Sequence, residues 1–111
     1  GGGYTTTTAD GVFLIVKLSI ENNGKESITL DYSDFSVTDA QERTYEVSTN
    51  ANVYLDTMGY TALPIMKDLG PGLTTEGAIV FDVPKDSQKL LLNVQGPGLS
   101  SDSKIIYLGN V

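Results

Sequence analysis

The chain has 111 residues, no cysteine and no histidine, and its 14 acidic and 7 basic side chains give a net charge of −7. That length supports one domain with a real core. The composition excludes a disulfide framework, a cysteine zinc site, the Ser-His-Asp triad and a histidine base. The basic residues Lys17, Lys25, Arg43, Lys67, Lys85, Lys89 and Lys104 are scattered and outnumbered. Nucleic acid and anionic membrane surfaces are therefore not expected partners. No apolar run nears the roughly 20 residues of a membrane span, so this domain is not expected to insert directly.

In chain order, Gly1 to Gly3 read as a linker end or cloning remnant, and the domain is expected over residues 4–111. Thr5 to Thr8 suit a half-exposed edge strand, or a spacer between an anchor and the domain. From Val12 to Asn22 apolar residues fall on every second position: Val12, Leu14, Val16, Leu18 and Ile20. That period of two predicts a strand with one buried face. Phe13 and Ile15 make its first half apolar on both faces, so a loop or second sheet should cover it. Asn22 to Glu26 read as a turn. Further strands are predicted around Ile28 to Tyr32, Phe35 to Val37 and Tyr45 to Val47, with a polar turn over Ala40 to Arg43.

Thr49 to Asp68 alternates weakly and is long for a connection. It is expected to hold a strand or a short helical turn that closes one end of the fold. Gly70, Pro71 and Gly72 predict a sharp reversal before a strand carrying Ile79, Phe81 and Val83 inward. Pro84 lacks an N–H and stops that strand. Two fixed ends set the register, because a slip of one residue would send all three apolar side chains into water. A strand over Lys89 to Gln95, a flexible loop over Gly96 to Ser103 and a last strand over Lys104 to Leu108 complete the pattern. About seven short strands without helical periodicity predict an all-β, antiparallel β-sandwich.

Five landmarks carry a resemblance: Asn22-Asn23-Gly24, Phe35, Tyr45, Leu69 with Pro71-Gly72, and Phe81 with Val83-Pro84. Over about Val12 to Val94 the chain resembles a family of secreted bacterial and archaeal immunoglobulin-like domains of unassigned function. They are common in Gram-positive lipoproteins and related in fold to an immunoprotective extracellular antigen of mycobacteria. The resemblance implies an immunoglobulin-like sandwich in an extracellular, membrane-anchored lipoprotein. It implies no catalytic residues. The chain departs from the family pattern at Asp39-Ala40-Gln41-Glu42, where a glycine is usual.

Two constellations are candidates for function. Tyr54, Met58 and Tyr60 offer rigid, amphipathic contact area for a protein or cell-surface ligand, as loops of a sandwich often do. The plainer account is that they fold back onto the core. Asp31, Asp34, Asp39 and Glu42 supply the oxygen donors that calcium prefers, although their spacing is not that of a calcium loop. The plainer account is a solvated polar edge that resists edge-to-edge pairing. Paired carboxylates also suit glycoside hydrolysis, but a small sandwich rarely builds the cleft it needs. No nucleotide-binding glycine motif is present, because both Gly-Pro-Gly stretches are turn chemistry. The expectation is a non-enzymatic interaction or spacer domain without a cofactor, the alternative being a calcium- or ligand-binding accessory domain.

Overall fold

The computed structural model describes residues 11–95 and the backbone of 99–110. The expected turns and strands resolve into eight strands among the described residues: β1 (Gly11–Asn22), β2 (Ile28–Thr29), β3 (Phe35–Thr38), β4 (Thr44–Glu46), β5 (Asp68–Leu69), β6 (Thr74–Pro84), β7 (Leu91–Val94) and β8 (Leu99–Asn110). A single 3-10 turn over Tyr32–Asp34 precedes β3, and one short helix, α1 (Thr49–Asn52), follows β4. The described part is thus mainly strand, as the two-residue period requires.

Three sheets form, with strand orders β6-β1-β8, β4-β3-β7 and β2-β5. Every strand pair in them is antiparallel. In the β1–β6 ladder Val12 faces Val83, Leu14 faces Phe81 and Val16 faces Ile79. All six side chains are buried, so the expected inward faces of the two strands meet in register. One core gathers these residues with Phe35 and Val37 of β3, Leu30, Leu69 and Val47. Tyr45 of β4 and Leu92 and Val94 of β7 pack around it.

The other face of β1 has its own cover. Ile15, Ala78 and Val80 form a second core with Ala51 and Leu55 from the segment after β4, and Phe13, Met58 and Tyr60 pack against it. The apolar second face of β1 is therefore roofed by a loop, as Phe13 and Ile15 led one to expect. The long segment lies on the flank of the β6-β1-β8 sheet, whereas the sequence suggested a plug at one end. Part of the reason is that it is tied to β6 at two points. The Ser48 N–H donates to the Val80 carbonyl (2.7 Å), and the Leu63 N–H donates to that of Ala78 (2.9 Å).

The last strand also differs from expectation. Leu99 to Ser103 pair with Leu18 to Asn22 of β1, from Asn22↔Leu99 to Leu18↔Ser103, so this part of the expected loop is strand. The hydroxyl-rich run Ser100-Ser101 has no hydrophobic alternation, and its pairing follows from the length of β1, a long-range cause. Gly96 to Gly98, the Thr5 to Thr8 run and the first three glycines lie outside the described residues. No helix among the described residues is long and apolar enough to cross a membrane.

Candidate functional site

Two places bring polar or exposed apolar groups together: the β3–β4 hairpin and the strap over Ser48 to Leu63. The hairpin is built around Asp39. Its side chain is only 1% exposed. The carboxylate accepts from the N–H groups of Gln41 and Arg43 (both 2.9 Å), from Arg43 Nε (2.7 Å) and from the Tyr45 hydroxyl (3.2 Å). Burial pushes the Asp39 carboxyl up, but the hydrogen bonds from Arg43 and Gln41 outweigh it and hold the group below the usual carboxylate range. The same pair raises Arg43 further above neutrality, chiefly through its hydrogen bond to Asp39. Burial pushes the Tyr45 hydroxyl up as well.

Glu42 takes the left-handed backbone position of this turn, with φ 64°. A side chain therefore stands here in a conformation that glycine adopts more readily. The four hydrogen bonds to Asp39 supply the compensation. Next to the hairpin is a polar recess of about 230 Å³ lined by Asp39, Ala40, Gln41, Arg43, Asp86 and Gln88.

The four acidic residues read as calcium donors do not converge. Asp31 and Asp34 close the 3-10 turn before β3: Asp31 accepts from the Ser33 N–H (3.4 Å) and Asp34 accepts from the Asp31 N–H (3.0 Å). Asp39 and Glu42 lie at the far end of β3, beyond its 4 residues, a span of roughly 13 Å. Among the described residues no group of three or more carboxylates is arranged to hold a metal ion.

The strap separates the three candidate contact residues. Leu55 is 0% exposed and pins it to the second core, and Met58 and Tyr60 are partly buried beside it. Tyr54 points the other way at 61% exposure, next to Val53 at 72%. The split follows from the tight coiling of the chain here. Ser48 caps α1 by accepting from the Ala51 N–H (3.2 Å). The turns after α1 are closed by Met58 N–H to the carbonyls of Tyr54 (3.1 Å) and Leu55 (3.0 Å). Gly59 allows the strap to turn back with φ 90°.

Two organising residues escape a reading by pattern alone. Asn22 is fully buried. Its Nδ2 donates to the carbonyls of Glu26 (2.8 Å) and Leu69 (2.9 Å), and its Oδ1 accepts from the Gly24 N–H (2.9 Å). Its backbone receives Gly72 N–H (2.8 Å) and gives its own N–H to Leu73 (2.9 Å), so it ties the turn after β1 to the Gly-Pro-Gly turn. The signal was available: position 22 continues the inward series from Val12 to Ile20. Gly77 is the second. A Cβ there would fall on the backbone of Leu63 and within 2.8 Å of the Ala62 carbonyl carbon, where the strap returns across β6.

These features define an all-β domain in which most buried polar groups hold turns in place. The chain belongs to the family described as Domain of unknown function (DUF4352), whose model matches residues 1–105. No curated protein and no solved structure matches the chain.

Proposed function

We propose that this chain is a non-enzymatic, extracellular interaction or spacer domain, an immunoglobulin-like sandwich carried by a membrane-anchored surface lipoprotein. The observation that carries the recognition part is the division of labour on the strap. Leu55 and Ala51 are fixed in the second core while Tyr54 and Val53 stand outward. A rigidly mounted, exposed aromatic loses little conformational freedom on contact, which is what a recognition surface requires. The hairpin supports a non-enzymatic reading: the Asp39 carboxylate has four hydrogen-bond donors of its own chain and a lowered pKa. A general acid or base needs the opposite, a pKa drawn toward the working pH.

The test uses the full gene product on its own cells. An impermeant amine label should reach the domain on intact cells; labelling only after lysis would overturn the extracellular assignment. A photo-crosslinking residue at position 54 should give a discrete adduct, and the same residue at exposed Glu46 of β4 should not. Equal yields at both positions, or none at 54, would remove the strap as a recognition surface and leave the spacer reading.

A further inference from the structure

Asn23 is the one asparagine in this chain followed by glycine. An Asn-Gly pair is chemically labile because the glycine lacks a Cβ, so its backbone nitrogen can approach the asparagine side chain. The nitrogen of Gly24, once deprotonated by solvent base, would attack Asn23 Cγ. The N–Cγ bond forms, the Cγ–Nδ2 bond breaks and ammonia leaves, which gives a five-membered succinimide. Water then opens either ring carbonyl and leaves aspartate or isoaspartate. No oxidant or other co-reactant is needed.

In the fold this nitrogen is already engaged. The Gly24 N–H donates to Asn22 Oδ1 at 2.9 Å. The Asn22 amide cannot turn over to release it, because its Nδ2 is held by two carbonyls, Glu26 at 2.8 Å and Leu69 at 2.9 Å. Asn22 is also fully buried, whereas Asn23 is exposed to the water that the reaction needs. We propose that Asn23-Gly24 is a latent deamidation site that Asn22 keeps closed by holding the proton the reaction must first remove. The ring would also have to break the turn that Asn22 organises, so opening of this end of the sandwich sets the rate. Once formed, isoaspartate would insert an extra backbone carbon into that turn. The modification would then be self-reinforcing, since the altered turn cannot rebuild the guard.

Trypsin cuts after Lys17 and Lys25, so the peptide Leu18 to Lys25 reports the site by its mass. The whole chain is aged at mildly alkaline pH, folded and in urea, and the deamidated fraction of that peptide is followed over time. The folded chain should deamidate at least about tenfold more slowly than the unfolded one. Asn22→Ala, checked for folding by circular dichroism, should move the folded rate most of the way to the unfolded one. Asn23→Ser should abolish the mass gain. Equal rates in the folded and unfolded wild type would overturn the proposal, and that comparison stands even if Asn22→Ala does not fold. A folded Asn22→Ala protein that ages as slowly as wild type would overturn the role of Asn22.

Discussion

Asn22 shows how much one polar side chain can hold when every one of its groups is used. Replacing it with alanine leaves two carbonyls and one N–H without their partner, the Leu69 carbonyl in a buried place and the other two groups in partly buried ones. The expected loss is at least about 2 kcal/mol, read as a lower urea midpoint at unchanged slope. Asp39 makes a different prediction, because it is charged. Its folded pKa lies below the unfolded value, so its contribution is complete above the ordinary carboxylate pKa and is lost as pH falls through the folded one. Asp39→Asn should therefore melt lower than wild type at neutral pH, and the two curves should converge below about pH 4. A gap that stays constant into acid would mean that the charge contributes nothing. At this scale the sequence was half legible. The two-residue period marks position 22 as inward, yet nothing local says which carbonyls await it, because Leu69 is 47 residues away. Asp39 was visible as an acid in a turn, but its partnership with Arg43 depends on the hairpin closing.

The strap is the element that distinguishes contact from support. Tyr54→Ser should stay within about 0.5 kcal/mol of wild type, as exposed substitutions do. Leu55→Ala, one residue on, should cost about 2–5 kcal/mol because it empties the second core. Thermal melts of the pair decide the matter, and a large loss from Tyr54→Ser would place that ring in the core. Gly77→Ala tests the return crossing: the new methyl meets backbone that cannot rotate away, so a loss of about 1–3 kcal/mol or more is expected. The need for a roof was legible in Phe13 and Ile15. Its position was not, because the bonds from Ser48 and Leu63 to β6 are tertiary and leave no trace in local pattern.

For the whole molecule, the alternating strands carried the all-β architecture, and the buried faces of β1 and β6 are the ones their periodicity assigned. What pattern could not supply was the distribution of the acids. Four carboxylates that look clustered along the chain are divided between the two ends of β3. Millimolar calcium should accordingly leave the thermal midpoint unchanged, since only a bound ion raises it by mass action. A rise that saturates with calcium would revive the accessory-domain reading. The strap has one more consequence. Between Ala78 and Phe81 the outer margin of β6 is occupied by the chain's own Val47, Ser48, Thr61 and Leu63. A long strand whose rim is already taken in the middle cannot serve as a template for another molecule, so the same loop that carries the exposed Tyr54 also deters self-association into fibrils.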